Sequence, residues 1–589
     1  MPGKRFLDLI DKVDRKYGWD KLPKIFGILT LVGLRDRLRV NNLFDSGTPG
    51  NGQVRPDNEH RYLRTRTIDR TFNDLEEPFM GAVGSRFGRN VPAEDSYPEE
   101  EPDLMTPNPR LISTELMTRD HFTPAESLNV LAAAWLQFEV HDWFSHVVDK
   151  DTYWEVPLEA SDPWPEHPMK IPRTHQDPTM TDALAPPTYT TPDSHWWDGS
   201  QIYGSDKGFA ERVRAREGGK LRIDDQGLLP RDLEEGLDYS GVPGNFWVGL
   251  GILHTLFTKE HNAICDRLRA EYPTWTDDEL YDRARLVNSA LMAKIHTIEW
   301  TPAIIAHPTT KMAMKVNWWG LAGEKVHKRF GRISGSEVIS GIPGSKQNHH
   351  GTPYSLTEEF AAVYRMHPLL PDDFDFYSVA SGELVQQWTF PELGALKAWD
   401  RMEELTVPNA AYSLGIAHPG AIMLHNFPRF LQHLDRADGT IMDLAATDIL
   451  RIRERGVPRY NRFRELFRLP VAERFEDLTD DPEWVDQIRA VYDNDIDQVD
   501  LMVGLFGEKP PKGFGFSDTA FRVFILMASR RLESDRFFTT DYKPEVYTRA
   551  GLEWIDDNSM ISVLLRHYPE LEPALRGLDN AFVPWNRVD

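Results

Sequence analysis

Cysteine is almost missing from this 589-residue chain: Cys265 stands alone, so no disulfide can form within one molecule. A reducing compartment suits that single thiol. Long apolar runs are missing too. The best candidate, residues 25–34, is too short to span a bilayer, and the first twenty residues are charged and lack the apolar centre of a secretory signal. A cytoplasmic protein is therefore expected. Positive charge is in deficit, with 67 Lys and Arg against 92 Asp and Glu, a formal −25 that repels phosphates and argues against nucleic acid as a partner. Internal repeats are absent, and no strand-rich region is read beyond short hairpins. The length and the 40% hydrophobic content are enough for a large core.

What the chain does have is chemistry at helical spacing. In Tyr364-Arg365-Met366-His367-Pro368-Leu369-Leu370 a phenol and an imidazole stand three apart, which on a helix turns both to one side. An imidazole nitrogen can hold haem iron axially, and a phenol nearby can lose an electron and a proton to the oxidised centre. Pro368 disfavours the helical conformation at His367, so the helix is expected to end there. Upstream, the apolar helical run 131–144 is interrupted by Gln137, His141 and Asp142. Gln137 and His141 are four apart and share a face. Asp142 points about 100° further round and can serve a different site, as an ion-pair partner or a metal ligand. In Ser194-His195-Trp196-Trp197-Asp198-Gly199-Ser200 oxygen groups alternate. An extended loop would put the Ser194 hydroxyl, Trp196 carbonyl, Asp198 carboxylate and Ser200 hydroxyl on one side, a hard-oxygen set that suits Ca2+ when Asp142 joins it. The same composition also fits an ordinary turn.

Together these segments resemble the animal-type haem peroxidase superfamily, which includes the cyclooxygenases, and within it the fatty-acid α-dioxygenases. The likeness covers nearly the whole chain. It extends through Lys21-Leu22-Pro23, Ile202-Tyr203-Gly204-Ser205, Lys259-Glu260-His261-Asn262 and Lys294-Ile295-His296-Thr297-Ile298-Glu299-Trp300-Thr301, then through Ser529-Arg530-Arg531-Leu532-Glu533-Ser534-Asp535-Arg536-Phe537-Phe538. It implies a mainly α, cyclooxygenase-like fold with haem b held non-covalently between helices. The organisation implied is an N-terminal helical segment, 1–45, and a dioxygenase domain, 46–589.

The resemblance also implies roles. His141, with Gln137 beside it, looks like the distal histidine that handles an activating peroxide. His367 looks like the proximal ligand, and Asn426 in Leu424-His425-Asn426-Phe427 like the residue that orients it, although an Asn there also fits a helix cap. Tyr364 looks like the radical-bearing residue, and Asp142, Ser194, Trp196, Asp198 and Ser200 like a calcium site. His296, Thr301 and Arg531 resemble the grip on a fatty-acid carboxylate, where an Arg fork gives two parallel hydrogen bonds. Arg530 and Arg536 are alternatives, and surface pairing of these arginines with Glu533 and Asp535 is the other reading. A carboxylate pinned beside Tyr364 leaves the C2 hydrogen in reach. O2 added there gives a 2-hydroperoxy fatty acid, which without a reductant decarboxylates to an aldehyde one carbon shorter.

Departures from the peroxidase pattern sharpen this. Pro243 stands where peroxidases place an arginine that helps split the peroxide bond, and Val140 and Phe246 stand where carboxylates would esterify the haem. Non-covalent haem and weak general peroxidase turnover follow. The disulfide module of cyclooxygenases is absent. Rival readings are a haem peroxidase of small reductants, a mid-chain fatty-acid dioxygenase, and a peroxidase-fold binding protein without turnover.

Elsewhere, Thr276-x-x-Glu279 predicts a capped helix running to about His296, and residues 250–268 another with His254 and His261 as core histidines. Residues 92–109, with Glu99-Glu100-Glu101, read as a solvated acidic loop, 162–192 as a surface wrap, and His349-His350 as loop residues that bind nothing. The run 25–34, flanked by Lys21, Lys24, Arg35, Arg37 and Arg39, is expected to lie at a membrane surface, to form a mouth for lipid, or to pack as an amphipathic helix.

Overall fold

The helix Val130–Val140 carries apolar side chains almost all the way round, so it is stable only where other elements surround it. In the computed structural model, which describes residues 4–50, 60–140, 142–182, 184–232, 237–241, 247–394, 397–436 and 439–588, two helices do so. Val248–Glu271 and Val407–Ile416 pack against it, and Asp277–Ile295 packs on Val248–Glu271. The last of these starts with the reciprocal cap that the sequence predicts: Glu279 N–H donates to the Thr276 hydroxyl and Thr276 N–H to the Glu279 carboxylate. His254 and His261 are buried, and His261 lies 3.0 Å from the Tyr203 hydroxyl and 2.9 Å from the Gly219 carbonyl. One apolar core includes residues from Ile10 to Trp585, with Cys265 wholly buried inside it.

The described strands form short antiparallel hairpins, as expected, the longer ones pairing Val148–Val156 with Met169–Thr174 and Asp373–Tyr377 with Leu384–Thr389. The first hairpin shares an apolar cluster with Leu104, Ala446 and Leu450, and so supports one face of the helix Leu444–Glu454. Asp448, two residues from both Ala446 and Leu450, lies about 200° round that helix and faces the other way.

The helix Asp518–Ser534 anchors the N-terminal helices Lys4–Tyr17 and Lys24–Asn41. Arg522 is 2.8 Å from both Asp14 and Asp518, Trp19 Nε1 donates to Asp518 at 3.0 Å, and Arg39 reaches Glu533 at 2.6 Å. The run 25–34 is thereby split: Leu31 and Leu34 point into the body, while Ile25, Phe26, Leu29 and Val32 stay exposed. Among the described residues no helix is long and apolar enough to cross a membrane.

The structure revises several expectations. Tyr364 and His367 do not share a helix: Glu358–Val363 ends one residue before Tyr364, and His367–Leu369 forms a separate 3-10 turn. Pro368 lacks the N–H that would bond the Tyr364 carbonyl, and its ring would clash with that carbonyl, so the α-helix stops a turn early. Residues 92–109 expose Glu94, Glu100, Glu101 and Asp103 as expected, but the segment is anchored to the body: Leu104 is fully buried, Arg459 grips Glu99 at 2.6 Å, and Arg453 donates to the Leu104 and Pro107 carbonyls at 2.8 and 2.9 Å. The segment 162–192 supplies a strand and ends with Tyr189 and Thr191 buried. His349 lies 2.9 Å from Asp74 and His350 bonds Glu533. Glu533 and Asp535 are buried rather than surface carboxylates, paired with Arg39 and, at 2.9 Å, Arg66, because a carboxylate on a helix enclosed by the fold needs a cation brought to it.

Candidate active site

A small cavity opens where Asp518–Ser534, the end of Asp277–Ile295 and Glu358–Val363 converge, and Tyr364, His296, Thr301 and Arg531 all line it. Local sequence prepares the histidine. Pro302 has no N–H to offer the α-helical register, and a π turn, His296–Trp300, intervenes before the short helix Thr301–Ile304. The His296 ring stacks on Trp300 at 4.6 Å and meets Trp197 edge-on at 5.0 Å, while Trp135 Nε1 donates to its Nδ1 at 3.2 Å. Burial, with repulsion from Arg531, lowers its pKa to about 3, so the ring is neutral.

Arg531 is buried over Trp143, its guanidinium carbon 3.5 Å from the ring centroid and 5.1 Å from that of Trp197. No carboxylate among the described residues pairs with it. Its Nε and Nη1 find no acceptor, and Nη2 is 3.4 Å from the His195 carbonyl. The two competing arginines are committed elsewhere: Arg530 donates to the Thr352 and Pro353 carbonyls at 2.7 and 2.8 Å, and Arg536 to the Phe72 carbonyl at 3.2 Å and to Asp541. Tyr364 packs against Phe360 at 4.6 Å and Phe144 at 5.7 Å. Burial raises its phenol pKa, with Arg531 pulling the other way. Glu139, a buried carboxylate in Val130–Val140 that the sequence reading passed over, accepts from Trp197 Nε1 at 2.8 Å, and burial pushes it up to about 7.

A second constellation surrounds His367. Its Nδ1 is 3.2 Å from the Asp448 carboxylate, its Nε2 has no partner among the described residues, and a quarter of its side chain is exposed. Arg365 lies 3.3 Å from the same carboxylate. Burial alone would raise Asp448, but Arg365 and His367 bring it below its usual range. Arg451 and Arg455 complete a cluster of guanidinium groups with Arg365. Burial, then the charges of Arg455 and Arg365, lower Arg451 to about 10, and Nε of both Arg365 and Arg451 has no acceptor. An imidazole with a free nitrogen beside cations short of anions fits an iron porphyrin and its two carboxylates. The group facing His367 is Asp448 rather than Asn426. The Asn426 amide is taken by Arg119 at 3.0 Å and by the Thr123 and Ala421 carbonyls at 2.9 and 2.7 Å. Gln137, on Val130–Val140, accepts from Trp247 Nε1 at 2.8 Å. His141, Pro243 and Phe246 lie outside the described residues, and Val140 offers no carboxylate.

In and beside the 194–200 loop the oxygens meet in two groups. Ser194 Oγ donates to Asp198 Oδ2 at 3.2 Å and lies 3.5 Å from the Trp196 carbonyl, and the Ser200 hydroxyl bonds Asp142. Asp142 Oδ1 is buried with no partner, and burial followed by the charge of Asp193 pushes its carboxyl well up. Burial would also raise Asp198, but Arg70, bonded to it and reinforced by Arg66 and Arg285, holds it at about 2. Among the described residues no group of three or more His, Cys, Asp or Glu side chains is placed for a metal, so any cation would draw on hydroxyl and carbonyl oxygens as well. The orphaned Asp142 oxygen fits such an ion, and Arg70 already supplies one positive charge.

Comparison with known proteins gives a consistent result. The sequence model of the animal haem peroxidase family matches residues 65–578. Alpha-dioxygenase PIOX of Oryza sativa subsp. japonica is 39% identical, covering 98% of this chain and 94% of its own, and Alpha-dioxygenase 1 of Arabidopsis thaliana is 39% identical, covering 99% and 92%. A solved Tyr-to-Phe variant of Oryza sativa fatty acid alpha-dioxygenase, with palmitic acid, superposes with a TM-score of 0.92 at 38% identity, covering 99% of this chain and 97% of that one.

In the unliganded protein, Arg531→Met is expected to leave the melting temperature unchanged or raise it. The change removes a buried charge without a counter-ion and loses ring contacts worth about 1–2 kcal/mol. A fall of several degrees in differential scanning calorimetry would make the guanidinium a structural group instead.

Proposed function

The chain belongs to the animal haem peroxidase family and, within it, to the α-dioxygenases, and on that premise we propose that it inserts O2 at C2 of a fatty acid to give a 2-hydroperoxy acid. The observation that carries this reading is the unpaired Arg531 guanidinium in the cavity lined by Tyr364. A buried cation with free donors selects an anion, and a planar fork suits a carboxylate. His296 and Thr301 complete the grip. The rice relative solved with palmitic acid supports a long-chain acid.

Haem, when bound, would supply the one-electron oxidant. Tyr364 gives up an electron and its phenolic proton, and the tyrosyl radical takes a hydrogen atom from C2. O2 adds to the carbon radical, and the peroxyl radical recovers hydrogen from Tyr364. RCH2COOH and O2 thus become RCH(OOH)COOH, and the tyrosyl radical is restored. His367 would hold the haem, Asp448 would orient its ring, and Arg365, Arg451 and Arg455 would receive the carboxylates of the group. Asn426 acts at one remove: it holds Arg119, which donates to the Pro368 and Leu370 carbonyls at 2.9 and 3.0 Å and so braces the turn after His367. His141 and Gln137 handle the activating peroxide. Asp142, Ser194, Trp196, Asp198 and Ser200 would hold Ca2+, whose charge would favour the ionised form of Asp142 that burial and Asp193 disfavour.

Peripheral membrane contact belongs to the same reading. Residues 1–45 form the lipid-facing part of the protein and 46–589 the dioxygenase domain. Exposed Ile25, Phe26 and Leu29 lie on Lys24–Asn41, which packs against Pro308–Trp319, whose Met314 and Asn317 line the cavity. Next in the chain, Leu321, Phe330, Ile333, Val338 and Ile339 are exposed too. Residues 308–340 carry Lys311, Lys315, Lys325, Lys328, Arg329 and Arg332 against only Glu324 and Glu337, a basic excess in an acidic chain that suits anionic headgroups.

Tyr364→Phe is expected to abolish oxygen uptake with palmitate while the haem spectrum stays intact, and undiminished uptake removes the phenol from the mechanism. Chelation of Ca2+ with EGTA should lower the melting temperature by several degrees and added Ca2+ restore it. A melting curve that ignores both would eliminate the cation. The protein should float with phosphatidylglycerol vesicles but not with phosphatidylcholine alone, and Phe26→Glu with Phe330→Glu should stop flotation while turnover of dispersed palmitate persists. Equal flotation by the double variant rules this surface out.

A further inference from the structure

We propose that Trp135 is a positioning residue for the carboxylate grip: its indole N–H holds His296 in the tautomer that presents Nε2–H to the cavity as a hydrogen-bond donor. The inference rests on the fatty-acid reading above and adds the residue that gives His296 its polarity.

An indole nitrogen donates and cannot accept. At 3.2 Å from Trp135 Nε1, His296 Nδ1 must therefore be the unprotonated nitrogen. The ring is neutral, so its one proton sits on Nε2. Nε2 has no partner among the described residues, and His296 lines the cavity with Arg531, Thr301 and Tyr364. The opposite tautomer would set two N–H groups against each other across 3.2 Å and turn a lone pair toward the bound carboxylate. Ring rotation offers no escape. The imidazole is stacked on Trp300 and closed edge-on by Trp197, and a flip would break the indole bond. Trp135 is itself immobile, wholly buried with Phe257 and Phe582 at 5.4 and 5.3 Å.

The charge arithmetic favours the same arrangement. Arg531 supplies the single positive charge that a carboxylate needs, and a second cation beside it would be repelled. A neutral imidazole adds a directed hydrogen bond without adding charge. Trp135 also stands on Val130–Val140, the helix that carries Gln137 and precedes His141. One rigid element thus aligns the substrate grip and the peroxide side of the site.

The test is a double-mutant cycle read as palmitate dissociation constants, measured calorimetrically on the holoenzyme under anaerobic, peroxide-free conditions. Trp135→Phe keeps an aromatic ring and removes the donor, and should weaken binding about ten-fold. In a His296→Gln background the amide nitrogen donates without needing a tautomer, and the same change should cost less than about two-fold. Equal weakening in both backgrounds, or none in the wild-type background, overturns the proposal. Should Trp135→Phe fail to fold, benzothienylalanine at position 135, the same shape with sulfur in place of N–H, is subject to the same two outcomes. A wild-type protein that binds no palmitate overturns the fatty-acid reading, and this inference with it.

Discussion

The Arg531 guanidinium lies over Trp143, within 5.1 Å of Trp197, and among the described residues two of its nitrogens find no acceptor and no carboxylate pairs with it. Taking such a charge out of water is costly, and ring faces return only part of that cost. The remainder is stored as a preference for an anion at one place. A fatty acid that satisfies it brings its head group, and so its C2, into the cavity lined by Tyr364. On the proposed function, regiochemistry follows from where the charge is stored, and the phenol needs no selectivity of its own.

The isolation of that charge depends on how its helix distributes its neighbours. Successive positions on Asp518–Ser534 turn by about 100°, so Arg530, Arg531 and Glu533 look into different surroundings. Glu533 is claimed by Arg39 and His350, and Asp535, just past the helix, by Arg66. Arg530 spends its donors on backbone carbonyls. The N-terminal helices supply Arg39, which pairs with Glu533 on a face of the helix about 200° round from Arg531.

Much of this was legible in the sequence where the causes are local. The Thr276 and Glu279 cap, the long helix with its core histidines and the alternating oxygens of 194–200 all depend on residues a few positions apart. The family resemblance placed His296, Thr301, Arg531 and Tyr364 together, and the cavity contains all four. It favoured Arg531 but kept Arg530 and Arg536 as alternatives, because their difference lies in partners far along the chain. Asp448 was missed for the same reason. The one visible clue was a lone carboxylate inside the apolar stretch Leu444-Ala445-Ala446-Thr447-Asp448-Ile449-Leu450. Asn426 read as the orienting residue from its motif, yet its amide is occupied by Arg119 and two carbonyls. The local rule for Pro368 was right in kind and wrong in reach, since the clash acts on the carbonyl four residues back.

The burial of Cys265 has a chemical consequence for a protein whose proposed product is a hydroperoxide. Its sulfur sits in the core, 3.3 Å from the Gly219 carbonyl, where the surroundings disfavour ionisation. Oxidation by peroxides begins at an accessible thiolate, and this chain offers none. The catalyst is therefore inert, at sulfhydryl groups, toward what it makes.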